Sequence, residues 1–206
     1  MMNDSIANGK AFADRIKLPI SFDADLLLED IQKMQLKPFI YYDVIPLRNP
    51  SHLVDTSIPQ PPQSDDYADG SWCEWRNSEA LCNSPNFLRV IDFFSSHCNV
   101  TLVRLLRLEV GSSVAEHTDP TLAMHIEKSV VRLTIPIQSE EKVNFYLNHK
   151  IVAMRPGQCW YLRLSDPHSI EHNGEIERIN MTIDLQPNEW LIENLQQGMY
   201  SKVREC

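Results

Sequence analysis

The spacing of apolar and polar positions changes character near residue 100 of this 206-residue chain. Before it, apolar positions mostly follow a helical period. Leu27, Leu28, Ile31, Met34 and Leu36 share one face behind Asp23 or Asp25, which predicts a capped helix running to about Leu36 and stopped by Pro38. Phe87, Leu88, Ile91 and Phe94 predict a second helix over about Asn86–His97, entered through Pro85. The short run Leu18-Pro-Ile-Ser-Phe22 reads as an edge strand, because its proline has no N–H to give a ladder. Residues 49–70 hold Pro50, Pro59, Pro61, Pro62, Asp65, Asp66, Asp69 and Gly70, a composition that predicts a long loop.

Beyond residue 100 the period is two. Thr101–Val110 predicts a strand ending in a Gly-Ser-Ser turn, followed by strands over Val130–Ile137 and Lys142–Leu147. Ile151–Met154 and Gln158–Leu164, either side of Pro156-Gly157, predict a hairpin, and Ile179–Leu185 a last strand. Short strands separated by turns over this length indicate an all-β barrel or jelly roll. The expected organisation is α+β in one compact domain. Residues 1–99 form a helical and loop extension, 100–187 the β-core and 188–206 a C-terminal tail.

Composition narrows the function without choosing it. A hydrophobic share of 43% and a charged share of 23% are those of an ordinary globular protein. A net charge of -9 and a pI near 5.2 argue against a nucleic-acid surface. The five cysteines form no C-x-x-C pair, which fits reduced structural thiols better than a disulfide framework or a zinc ribbon. Residues 1–10 lack a basic segment followed by an apolar one, and no apolar run reaches the ~20 residues of a membrane span. A cytoplasmic location is expected.

The candidate chemistry starts from His117-Thr118-Asp119. Residues two apart on a strand face one side, so an imidazole and a carboxylate can converge on one point. His168 follows within the strand-rich region, and two histidines with one carboxylate leave metal positions open in the way that suits Fe(II). An H-x-D tripeptide is weak by itself, and His125, His149 and His172 compete for the role, whereas His52 and His97 read as structural or exposed. Arg178 offers a planar fork for a carboxylate, or is a surface partner of Glu175 or Glu177. Arg132 interrupts the apolar run Val-Val-Arg-Leu-Thr-Ile-Pro-Ile, so it faces either a polar cavity or solvent at an edge.

Taken in order, these words resemble the aspartyl/asparaginyl β-hydroxylase family, including its proline-hydroxylase-like branch. The resemblance runs from Leu108-Glu-Val-Gly111 and His117-Thr-Asp119 through Arg132-Leu-Thr-Ile-Pro136 and Met154-Arg-Pro-Gly157-Gln-Cys-Trp160. It continues in His168-Ser-Ile-Glu-His-Asn-Gly174 and ends with Arg178 and Asp184. It implies a double-stranded β-helix (jelly-roll, cupin-like) core and an enzyme that uses Fe(II), 2-oxoglutarate and O2 to hydroxylate an amino acid or amino-acid residue. By the same resemblance His117, Asp119 and His168 are the metal ligands, Arg178 pairs with the distal carboxylate of 2-oxoglutarate, and Arg132 meets a carboxylate of co-substrate or substrate. Thr134 and His172 depart from the family pattern, which has histidine and asparagine there. The expected substrate is a free amino acid or a small peptide or carrier-bound residue, with no nucleic acid or membrane partner. A metal-binding cupin with other catalysis, or one that senses a ligand, is the alternative.

Overall fold

The computed structural model describes residues 12–54, 74–122, 124 and 130–201. The expected loop beyond Val54, up to residue 70, lies outside them. The elements run β1 (Arg15–Ser21), α1 (Ala24–Lys33), β2 (Tyr42–Pro50), α2 (Ser51–Val54), β3 (Trp75–Asn77), α3 (Glu79–Cys82) and α4 (Pro85–Ser95). They continue as β4 (Val100–Leu108), β5 (Ser113–His117), β6 (Val131–Gln138), β7 (Val143–Leu147), β8 (Lys150–Ile151), β9 (Gln158–Leu162), β10 (His168–His172), β11 (Arg178–Leu185) and α5 (Glu189–Ser201).

The strands pair antiparallel into two sheets, ordered β1-β9-β6-β11-β4-β2-β3 and β5-β10-β7-β8. This is the double-stranded β-helix. The larger sheet is buried on both faces, and alternation along its strands sorts the side chains. In β11, Ile179, Met181, Ile183 and Leu185 enter an outer core shared with Leu27 and Ile31 of α1, Phe87 and Phe94 of α4, and Leu191 of α5. The intervening Arg178, Asn180, Thr182 and Asp184 are equally buried but face the smaller sheet. The helices thus cover one face of the larger sheet and leave the other to the site.

Local chemistry explains most element ends. The Asp23 carboxylate accepts from the N–H groups of Asp25 and Leu26 at 3.0 and 3.2 Å and caps α1. The buried Asp30 accepts from Asn86 and Phe87 N–H at 2.7 and 3.2 Å, placing a carboxylate at the α4 N-terminus where the helix dipole favours it. α1 ends at Lys33 rather than Leu36, and Gln35 just beyond turns the chain with φ +48°.

Two features differ from the sequence reading. The region before residue 100 also supplies β1, β2 and β3 to the larger sheet. β2 is obscured in sequence by Pro46, which is tolerated because β3 pairs only with residues 48–50 and leaves that side of Pro46 without a ladder partner among the described residues. The hairpin expected across Pro156-Gly157 does not form. β8 instead pairs with β7 through a two-residue turn, Asn148-His149, with φ +50° and +58°. β9 crosses to the larger sheet between β1 and β6. Gly157, at φ +81° and close against the Phe22 carbonyl, is the turn that hands the chain from one sheet to the other.

Candidate metal centre

His117 ends β5 and His168 opens β10, and the two are direct Cα partners across that strand pair. Their ring centroids are 4.2 Å apart. Asp119 lies two residues past β5, where its N–H donates to the Leu164 carbonyl at 2.8 Å and its carbonyl accepts from Leu122 N–H at 3.0 Å. One ligand atom from each of the three residues lies within 4.8 Å of the others.

The hydrogen bonds of the rings fix their chemistry. Nδ1 of His117 sits 2.9 Å from the Ala115 carbonyl, and Nδ1 of His168 sits 3.0 Å from the Asp166 carbonyl. A carbonyl only accepts, so each Nδ1 carries a hydrogen, which leaves Nε2 as the nitrogen with a lone pair to offer a metal. That is the tautomer a metal-ligating imidazole requires. Burial lowers the His168 pKa, helped by His117 and Arg132 and opposed by the Asp166 carbonyl and Asp119, so the ring is neutral near pH 7. Two imidazoles and a carboxylate, all N and O donors, fit Fe(II) with coordination positions to spare.

These groups open on a cavity of about 290 Å³ between the sheets. Its other wall carries Arg104 of β4, Arg132 and Thr134 of β6, and Arg178, Asn180 and Thr182 of β11, with Tyr42 and Phe145 at the sides. Arg178 is 4% exposed. The surface partners offered by the sequence are engaged elsewhere: Glu177 with Arg107 at 2.9 Å and Glu175 with Lys142 at 3.1 Å. The Asn180 amide oxygen, in the orientation that satisfies both groups, accepts from Nη1 of Arg178 at 3.1 Å and also from Nη2. No carboxylate contacts Arg178 among the described residues, and burial pushes its pKa down to about 10. Arg132 does meet a carboxylate, but the protein's own. Its Nε and Nη2 each donate to Asp184 at 2.7 Å, and Nη1 stands 4.0 Å from Oδ2 of Asp119.

The competing histidines lie elsewhere. His149 pairs with Glu116 at the surface at 3.1 Å, and His97 stacks on Trp190 with centroids 4.5 Å apart. His172 is buried, and its Nδ1 accepts from Gly174 N–H at 3.1 Å, so this departure from the family pattern serves a turn. Thr134, the other departure, does line the cavity. His125 lies outside the described residues. Arg104, Asn180, Thr182, Tyr42 and Phe145 are cavity residues that sequence reasoning missed. The signal for two of them was present: polar residues at every second position of Arg178-x-Asn180-x-Thr182-x-Asp184 mark a polar face on an otherwise apolar strand.

The sequence profile of the aspartyl/asparaginyl β-hydroxylase family matches residues 58–187, more than half of the chain. The chain belongs to this family. As a member, it is an Fe(II)- and 2-oxoglutarate-dependent dioxygenase that uses O2 to hydroxylate an amino acid or amino-acid residue. No curated protein matches it. Among solved structures, a 2OG-Fe(II) oxygenase family oxidoreductase from Burkholderia pseudomallei is 14% identical, with a TM-score of 0.51 and 87% of each chain covered, and shows the same fold. The viral collagen prolyl hydroxylase of Paramecium bursaria Chlorella virus-1 is 10% identical over 86% of this chain and 97% of its own, with a TM-score of 0.48. No helix among the described residues of this hydroxylase is long and apolar enough to cross a membrane.

Proposed function

We propose that His117, Asp119 and His168 ligate the iron and that Arg178 takes the distal carboxylate of 2-oxoglutarate. One observation carries this reading. A cluster of imidazole and carboxylate donors lines the same cavity as a buried arginine that no protein carboxylate contacts among the described residues. Bound iron supplies the O2 chemistry that couples decarboxylation of 2-oxoglutarate, giving succinate and CO2, to hydroxylation of a C–H bond. The chain does the positioning. The carbonyls of Ala115 and Asp166 hold the imidazole tautomers, Arg178 orients the co-substrate, and Leu162, Leu164 and Ile170 keep part of the cavity wall dry.

The substrate is a free amino acid or a small derivative, including a short peptide or carrier-bound residue. The size of the cavity and the net charge of -9 support this over a nucleic acid or a membrane lipid. The free thiols Cys82, Cys98 and Cys159 support a reducing, cytoplasmic setting. Residues 100–187 serve as the catalytic core, completed by β1, β2 and β3 in the larger sheet and covered by the helices.

The test is to incubate anaerobically purified protein with Fe(II), 2-oxoglutarate, ascorbate and air, and to quantify succinate with and without the twenty amino acids. His168→Ala runs as the control. Succinate that rises with one amino acid and vanishes in the control establishes the reading and gives a substrate. Slow, unstimulated succinate that vanishes in the control points to a peptide or carrier-bound substrate. Succinate formation unaffected by His168→Ala overturns the ligand assignment.

A further inference from the structure

We infer that Arg132 and Asp184 form a buried clamp that positions Asp119 for the metal, and that Arg132 is not an anchor for 2-oxoglutarate. This rests on the proposed metal site and adds a role to it. Three observations converge. Arg132 has already used Nε and Nη2 in two 2.7 Å bonds to one carboxylate, the bidentate geometry that satisfies a guanidinium fork. The pair is also fixed in place. Arg132 and Asp184 are direct partners in the β6–β11 register, their side chains are only 11% and 4% exposed, and the Asp184 carbonyl accepts from the Thr101 hydroxyl on β4. Finally, the remaining Nη1 points at Asp119, 4.0 Å from the same Oδ2 that lies 3.8 Å from His168 Nε2.

Asp119 needs such a neighbour more than the histidines do. Both imidazoles are oriented by backbone carbonyls, whereas Asp119 lies beyond the end of β5 and, among the described residues, only its main chain is hydrogen-bonded. Among the described residues, Arg132 is the one cation within ion-pair distance of its carboxylate. The contrast with Arg178 separates the two arginines. Among the described residues Arg178 has an amide beside it and no carboxylate, so an incoming anion gains a partner without displacing one. For Arg132 to take a ligand carboxylate, two charge-assisted bonds would break and Asp184 would be left buried and unpaired. Arg132 is therefore a positioning residue that acts through Asp119, as the outer partners of metal ligands do.

The test separates metal affinity from co-substrate affinity. Mn(II) binding is titrated first, and 2-oxoglutarate binding is then titrated at saturating Mn(II), for wild type and Arg132→Lys. A lysine cannot reproduce the fork. The expected result is Mn(II) binding weaker by about 10- to 100-fold, the usual effect of losing an outer partner. The 2-oxoglutarate affinity at saturating metal should stay within about threefold of wild type. Because removing one half of a buried pair can unfold a protein, Arg132→Met/Asp184→Leu, which leaves no orphaned charge, is measured alongside and should show the same split. Wild-type Mn(II) affinity in a folded variant, or a tenfold or greater loss of 2-oxoglutarate affinity at saturating metal, overturns the clamp. Failure of the underlying site would look different: His168→Ala would then bind Mn(II) as tightly as wild type.

Discussion

Replacing Arg178 with methionine separates a residue that waits for a ligand from one that holds the fold together. Burial pulls the Arg178 pKa from the ordinary arginine range down to about 10. That difference corresponds to a cost on the order of 3 kcal/mol for keeping the cation in the folded protein. The folded-state pKa lies below the unfolded one, so the cost is present in full below about pH 10 and fades as pH rises above it. Methionine removes this cost at neutral pH and fills much of the same space. It also deprives the Asn180 oxygen of its donors, which returns about 1–3 kcal/mol of penalty. Urea unfolding of the metal-free Arg178→Met protein should therefore find it as stable as wild type, or up to about 2 kcal/mol more stable. Binding should move the other way. Truncating one partner of a desolvated charge pair costs about 2–5 kcal/mol, so the 2-oxoglutarate Kd measured calorimetrically at saturating Mn(II) should rise about 30- to 4,000-fold. A loss of more than about 2 kcal/mol in the metal-free protein would mean that Arg178 has a structural partner, because it exceeds what the orphaned Asn180 oxygen leaves after the relief of burial. A Kd within threefold of wild type would refute the co-substrate role directly.

Three further outcomes follow from the same geometry. Asn180→Asp puts a carboxylate where the amide oxygen now accepts from Arg178; calorimetry should show 2-oxoglutarate affinity falling at least about tenfold while the metal-free melting temperature does not fall. Gly157→Ala adds a Cβ that collides with the Phe22 carbonyl at a φ of +81°, so urea unfolding should lose more than about 1 kcal/mol. Arg15, with Asn148 and Arg163 assisting, outweighs burial to hold the Asp14 pKa at about 2, below the usual 3.8. A depressed carboxylate stabilises above its unfolded pKa, so in wild type this contribution is complete above about pH 4 and disappears as pH falls through about 2. The side chain is 24% exposed, and screening limits the effect to about 1 kcal/mol; in Asp14→Asn that part of the acid dependence should be missing from unfolding curves.

The β-core was legible because its residues obey a simple period and end at turn residues. Strands β4, β6, β7 and β11 all start within about two residues of where alternation puts them. The metal candidates were legible as chemistry rather than as geometry. His117-Thr-Asp119 and His168 are named by motif order, while the convergence of their ligand atoms depends on the β5–β10 register, which no local pattern reveals. The same limit explains the misplaced hairpin. Pro156-Gly157 is a sound turn signal, but the partner of each flanking strand is decided by which sheet buries it. Arg132 and Arg178 looked alike in sequence, each a cation in a strand. Only the structure shows that Asp184 already occupies one of them and that an amide faces the other.

β11 ties the reliability of the fold to the reliability of the site. It lies between β6 and β4 in the larger sheet, and all eight of its residues are buried. A one-residue slip of its register would turn Arg178, Asn180, Thr182 and Asp184 into the outer core among Phe87, Phe94 and Leu191, and turn Ile179, Met181 and Ile183 into the cavity. Burying two charges without partners makes that slip far more costly than a slip in a strand with one face in water. The polar side chains that weaken β11 as a piece of core are therefore what lock its register, and the apolar ones opposite hold it against the helices. Functional groups and packing groups alternate on one strand, so the separation between Arg178 and the Arg132–Asp184 pair is set by backbone geometry rather than by loops.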